Sequence, residues 1–409
     1  MENRVDCVQL PGIDQATRPF PMAPFRVRLD SIDLLRGLVM VIMALDHACD
    51  CFTVPCIPVD LPNTSPAMFF TQWLPNFCAP VFVFLSGIGA FLYGTRAKSR
   101  LALFLLGRGL WLVVLELTLV RFAWFLNTDY RFTMFQVIWV IGWSMVVMAG
   151  LVRLPSWGVG VLGALLIGLH NLMDGFPISH WRGGWLWTLL LGGPTFLEPA
   201  QGFRVLAIYP LLPWLGIMAL GFAMGPVLQM NSVQRRRILL SSGIAFTGGF
   251  FVLRWINSYG DPTPWTPGKN SLYTVMSFLN CSKYPPSLAY TLMTLGPAFI
   301  ALELFHGANI GRGLTNRLVV LGRVPLFYYV LHLLLIHLVA LALAALHYGQ
   351  TRFLFDLLIF EPKNVPANYP ISIPLLYLVT LGFVMILYPA CASFARLKAR
   401  SKSAWLSYL

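Results

Sequence analysis

Charge is what this sequence has least of. Only 11% of its 409 residues are Asp, Glu, Lys or Arg, and 57% are hydrophobic. A soluble domain carries about 25% charged residues. The mean hydropathy of +0.70 points the same way. The shortage excludes a soluble globular enzyme and a disordered regulator, and leaves a polytopic membrane protein. Cysteine is also sparse. The seven cysteines form no C-x-x-C pair and no zinc spacing, so neither a disulfide scaffold nor a metal site is expected. Cys49, Cys51, Cys56, Cys78 and Cys281 fall near one face, and any pairing among them stays open. No cleavable signal peptide is read at the start: the first 30 residues hold four Pro and no apolar run. Also missing are G-x-x-x-x-G-K-[ST], G-x-G-x-x-G after a strand, H-E-x-x-H and G-x-S-x-G. No ATP motor, nucleotide-cofactor domain or zinc site is therefore expected.

What is abundant is long apolar runs. Windows of roughly 20 residues find about ten of them. They lie near 32–52, 75–94, 101–122, 134–152, 157–173, 205–229, 238–256, 287–305, 319–346 and 373–394. Lipid offers no hydrogen bonds, and the runs show no period-2 alternation, so they are read as helices. The expected fold is an all-α integral membrane helix bundle. Segment 185–193 is apolar but too short to span, and reads as re-entrant or interfacial.

The net charge of +13 would suggest nucleic acid in a soluble protein. Here most of the excess is explained as topology, and no nucleic-acid partner is expected. Alternate connections carry 18 Lys and Arg on one side and 9 on the other, with Arg36 and Arg108 inside spans. The bias places both termini in the cytoplasm and favours an even helix count. The chain then divides into a cytoplasmic tail (1–30), a membrane domain (31–395) and a basic cytoplasmic tail (396–409). Three long outward loops, 174–204, 257–286 and 347–372, are rich in Trp, Pro, Gly, Asn and Tyr. They fit either a sugar-stacking surface over a pore mouth or an interfacial aromatic belt.

Ionisable side chains inside spans are costly, which makes them candidates for function. At 100° per residue, Asp33, Arg36, Met40, Met43, His47 and Asp50 share one stripe of the first helix. Arg36 and His47 are eleven residues apart, about 20° in azimuth and roughly 16 Å in height. Arg36 falls toward the cytoplasmic half and His47 toward the outer end. Asp50 lies within one turn of His47 and is placed to orient its imidazole. The competing reading is a structural Arg–Asp pair plus an interfacial His. Arg108 and Glu116 in the third helix are expected to form an intramembrane ion pair, with a ligand anion as the other use of Arg108. His332 and His337 are five apart and point different ways, so they cannot form an i,i+4 metal pair. His170, Asn171 and Asp174 close the fifth helix with groups suited to a sugar hydroxyl or to capping. Asp261 and Lys283 sit in outer loops shaped by Pro and Gly. Arg323 begins the ninth helix, as a phosphate ligand or a topological anchor.

The stretch Ser31-Ile-Asp-Leu-Leu-Arg-Gly-Leu-Val-Met, followed by Phe77-Cys-Ala-Pro-Val-Phe-Val-Phe-Leu-Ser-Gly87, resembles the catalytic domain of heparan-alpha-glucosaminide N-acetyltransferase and its bacterial relatives. The His170-Asn171, Tyr209-Pro-Leu-Leu-Pro213-Trp214, Tyr259-Gly-Asp-Pro262 and Lys283-Tyr-Pro-Pro286-Ser-Leu blocks are similar to the same relatives, so the likeness covers roughly 28–395. The Arg36-to-His47 spacing resembles the motif of the wider acyltransferase-3 group, and Tyr328-Tyr-Val-Leu-His332 its late histidine-bearing helix.

The resemblance implies acyl transfer across a plasma (bacterial inner) membrane. Cytoplasmic acetyl-CoA or another acyl-CoA would be co-substrate, with no permanently bound cofactor and no metal. A sugar or glycan of the cell envelope would be the acceptor, and a homodimer is compatible. His47 would be the base or transient acyl carrier, oriented by Asp50 or Asp46. Arg36, Arg108 and Arg323 would take the CoA phosphates or the thioester carbonyl. His170, Asn171, Asp174, Asp261, Lys283 and His332 would hold the acceptor. One departure stands out. The heparan enzyme has asparagine where His47 aligns, and its histidine lies in the first outward loop. This chain has no His between 48 and 169. Either His47 has the role or the chemistry differs. The rival class is a proton-coupled transporter of a polar solute, although no duplicated half with broken helices is seen. A structural membrane partner would explain the loops but not the stripe.

Overall fold

A computed structural model of the protein describes residues 30–54, 60–177, 182–306 and 313–401. Almost all of the expected N-terminal tail, Cys56, Arg312 and residues 402–409 lie outside the described residues. The fold is an all-α polytopic membrane bundle. In chain order its helices begin with α1 (Asp30–Phe52), α2 (Pro66–Trp73), α3 (Cys78–Gly94), α4 (Leu101–Leu115) and α5 (Arg121–Phe125). Then come α6 (Val137–Leu151), α7 (Ser156–His170), α8 (Gly184–Leu191), α9 (Leu211–Met224), α10 (Ser232–Ile256) and α11 (Ser271–Leu279). The last are α12 (Leu288–His306), α13 (Gly313–Arg323), α14 (Pro325–Tyr348), α15 (Arg352–Leu358) and α16 (Ile373–Arg400). Among the described residues, eight helical stretches are long and apolar enough to cross a membrane, including Pro66–Gly94 and Lys98–Phe125, which chain shorter helices end to end. The 23-residue α1 and the 15-residue α6 are the helices at the other two expected segments. The first five residues of the expected basic tail, 396–400, continue α16.

Helix α1 is charged because it does not face lipid. It packs against α3, α12, α13, α14 and α16. Close approach is enforced by glycine. A Cβ on Gly37 would overlap the Leu318 carbonyl oxygen, and one on Gly322 the Asp33 carbonyl oxygen. The α1–α13 crossing is therefore backbone against backbone, the small-residue contact used where lipid supplies no hydrophobic drive. Gly87 and Gly221 do the same between α3 and α9.

Three expected segments are corrected. Segments 134–152 and 205–229 do not open as helix. Their first residues belong to strands β1 (Phe132–Phe135) and β3 (Phe203–Ala207), which pair in parallel, with β2 (Thr195–Ala200) antiparallel to β3. Gly202, at φ +76°, turns the hairpin. Strands this short carry too little alternation to register against an apolar background. The ninth segment, 319–346, is two helices. Val324 leaves helical geometry (φ −132°, ψ 49°) because it precedes Pro325, a position sterically driven out of the α region. Segment 185–193 is the eight-residue α8, about 12 Å long and too short to span. It packs against α9.

Candidate active site

The α1 stripe faces two cavities stacked along the helix. One, of about 530 Å³, is lined by Asp33, Arg36, Met40 and Met43. The other, of about 550 Å³, is lined by Met43, Asp46, His47 and Asp50. Met43, Val137 and Tyr329 border both, so a single layer of side chains separates them.

The second cavity lies at the loop end. His47 is fixed there from several sides. Its Nδ1 is 3.4 Å from Asp50 Oδ2, one turn along the same helix. Its ring lies edge-on to Trp124, with centroids 5.0 Å apart, and to Tyr329 at 5.9 Å. Behind it sits His332, with ring centroids 5.1 Å apart. His332 is fully buried, its Nδ1 bonds the Tyr328 carbonyl at 2.8 Å, and it lines neither cavity. The helical turn of α14 puts it against His47 and outside the wall of either cavity.

Asp46 faces Lys283, with Nζ 3.9 Å from Oδ2. Burial disfavours the Lys283 ammonium, but Asp46, Tyr209, Cys78 and Asp50 outweigh it and hold its pKa above the ordinary lysine value. The Tyr209 and Tyr284 hydroxyls meet at 3.2 Å. Each long loop contributes to the wall, through Pro194, Lys283 and Tyr284, and Phe360. Gln72, Asn76 and Trp124 complete it and were not singled out from sequence. The described cysteines, including Cys49, Cys78 and Cys281 in this wall, are unpaired thiols.

The first cavity is basic. Arg36, Arg96, Arg108, Arg323 and Lys398 line it, against the single carboxylate of Asp33. Arg36 binds Asp33 at 3.1 Å and the Gly322 carbonyl at 3.1 Å. Arg323 reaches Asp30 at 3.2 Å and Asp33 at 3.7 Å. Asp33 thus holds Arg36 and Arg323 side by side. Tyr93 and Phe104 stack with centroids 3.8 Å apart and form an aromatic wall, with the Arg108 guanidinium 5.9 Å from the Phe104 ring centre. Arg96 and Lys398 read as topological charges in the sequence. Only the fold brings them to this cavity.

The expected Arg108–Glu116 pair is not formed. Eight residues of helix separate them by about 12 Å. Glu116 opens the π-helical stretch Glu116–Val120, and its carboxylate faces the backbone N–H groups of Trp139, Gln136 and Ile138 at the start of α6.

Three of the residues expected at the acceptor, Asn171, Asp174 and Asp261, are hydrogen-bonded within the scaffold, and a fourth, His170, is buried apart from both cavities. Asn171 donates to Asp174 (2.7 Å) and accepts from the Leu288 N–H (2.9 Å). Burial raises the Asp174 pKa above the aspartate norm, with the Asn171 bond opposing and Asp261 adding to it. Asp261 accepts from the Ser282 N–H (2.9 Å) and Ser287 hydroxyl (2.7 Å), and lies 3.8 Å from Arg254. His170 is buried, without a hydrogen-bond partner on either ring nitrogen. None of the four lines either cavity. Asp261 instead shapes the loop that presents Lys283.

A family model described as heparan-alpha-glucosaminide N-acetyltransferase, catalytic, matches residues 28–253. The chain belongs to this family. The match runs from α1 to α10 and includes Arg36, His47, Asp50 and Arg108. Lys283, Arg323, His332 and Lys398 lie beyond it. A search of curated proteins finds no match to the sequence. As a family member, the protein is an integral membrane protein of the acetyltransferase type.

Proposed function

We propose that the protein transfers an acyl group, acetyl in the first instance, from cytoplasmic acyl-CoA to a sugar amine or hydroxyl on the far side of a bacterial inner membrane. The observation that carries this reading is the pair of cavities meeting one helical turn from His47. The basic cavity suits the phosphates of the donor, because guanidinium groups bind phosphate in a charge-assisted, bidentate way. Its Tyr93–Phe104 wall suits an aromatic base. The charge bias of the connections puts this cavity on the cytoplasmic side. The other cavity offers carboxylates, amides and aromatic faces to a polar acceptor.

In this mechanism the thioester carbonyl reaches the layer between the cavities. His47 accepts the proton of the acceptor N–H or O–H as that atom attacks the carbonyl carbon. Asp50 holds the imidazole and stabilises its charged form. The C–S bond breaks, and the CoA sulfur leaves with a proton returned by His47. Asp46 and Lys283 position the acceptor. A transient acyl-histidine is the two-step version of the same chemistry. No permanently bound cofactor is required.

The test is binding and turnover of radiolabelled acetyl-CoA by purified protein in detergent. Saturable binding weakened by Arg36→Ala, with acetyl release abolished by His47→Ala, supports the reading. No binding of any acyl-CoA to folded protein overturns it in favour of proton-coupled transport of a polar solute.

A further inference from the structure

The layer between the cavities has a shape that the transfer chemistry alone does not require. It consists of Met43, Val137 and Tyr329, the three residues bordering both sides. Met43 is one turn before His47 on α1, and Val137 is the first residue of α6. The Tyr329 ring is 5.9 Å from that of His47. All three are buried. An acyl-CoA entering from the basic cavity must place its carbonyl carbon beside His47. Its alkyl part then lies first against Met43 and Val137. Immediately beyond stand Asp46, Asp50 and Lys283. An alkyl chain pushed past the layer would lie beside these charged groups and strip their water.

We propose that Met43 and Val137 are the residues that set acyl-chain length, admitting a short acyl group and rejecting a medium or long one. This inference rests on the acyl-transfer reading above. Tyr329 forms the third side, but its contact with His47 ties it to the reacting atoms. Met43 and Val137 carry no hydrogen-bonding side chain, so their contribution is volume alone. Apolar pockets discriminate by roughly 10- to 200-fold per methylene, which is ample to separate acetyl from octanoyl.

The experiment measures turnover of acetyl-, butyryl- and octanoyl-CoA by full-length protein in detergent, with CoA release as readout. Wild type is expected to lose at least about tenfold from acetyl to butyryl, and more to octanoyl. Met43→Ala enlarges the layer and should raise the octanoyl-to-acetyl ratio by about tenfold or more. Val137→Ala should move the ratio the same way from the opposite wall. Val137→Leu should lower the butyryl-to-acetyl ratio below that of wild type. The Val137 variants carry the test if Met43→Ala does not fold. Equal wild-type turnover of all three donors, or ratios unchanged in every folded variant, would overturn this assignment and leave acyl transfer standing. No turnover of any acyl-CoA by folded wild type overturns the transfer reading, and this inference with it.

Discussion

His47 gains its identity from neighbours that act on different atoms. Asp50 meets Nδ1, while Trp124, Tyr329 and His332 hold the ring. Replacing His47 by Ala is expected to cut transfer by about 10²- to 10⁴-fold, the usual worth of positioned proton transfer. Acyl-CoA binding should survive, as measured by radioligand saturation. Asp50→Asn keeps the shape but removes the charge that stabilises imidazolium, so kcat should fall by about tenfold or more and the pH profile should move. His332 poses a separate question. Its Nδ1 donates to a carbonyl, which leaves Nε2 with a lone pair, buried and unpartnered beside His47. In the proposed mechanism it is a positioning residue. His332→Phe is expected to lower kcat while leaving the KM for acyl-CoA within about threefold, because removal of a transition-state contact spares ground-state binding.

At the level of elements, the donor cavity depends on how α1 crosses α13. Asp33 of α1 holds Arg36 and, across the crossing, Arg323. Arg323 is the last residue of α13, just before the helix break at Val324. Gly322→Ala would push a methyl group into the Asp33 carbonyl oxygen. Overpacking of this kind costs about 1–3 kcal/mol. A fall in Tm of a few degrees, together with weaker acyl-CoA binding, is expected in a thermal-shift assay with and without CoA. Arg108 projects from a different helix. Arg108→Ala should raise the acyl-CoA KM by roughly tenfold or more, the worth of one charge-assisted hydrogen bond of about 1.5–3 kcal/mol, with kcat little changed. Equal loss in kcat would place Arg108 at the reacting carbonyl instead. Which segments become helix was legible, since runs such as 238–256 exceed any other explanation of their composition. The strands at 132–135 and 203–207 were not. Their parallel pairing joins residues some seventy positions apart, and four- or five-residue strands leave no local period.

The whole molecule is a bundle whose two ends differ in charge. Donor and acceptor are therefore expected to meet without a large rearrangement of the bundle, because both cavities already reach the layer beside His47. The orientation has its own check. Ser99 lies in the exposed basic connection after α3, and Gln201 at the exposed tip of the β2–β3 hairpin. An impermeant thiol reagent added to intact cells should label Gln201→Cys and spare Ser99→Cys, with the parent protein as background. The reverse pattern would invert the topology and place the basic cavity outside. All described cysteines of the parent protein are buried, which keeps that background low.

The sequence by itself determined the membrane class, the helices and the α1 stripe. Each of these follows from local rules: hydropathy over twenty residues, and a rotation of 100° per residue. It also placed Arg36 and His47 at different heights on one face, for the same reason. Only the tertiary structure decided which distant groups meet them. It set Lys398 and Arg96 into the cavity of Arg36, and His332 behind His47. It drew Asn171 and Asp261 into hydrogen bonds with the 282–288 turn, away from the cavities. A polar residue reads the same in sequence whether it faces a substrate or a backbone amide. The difference lies in partners from 21 to 117 residues away in these bonds, brought close by a tertiary fold that no local pattern encodes.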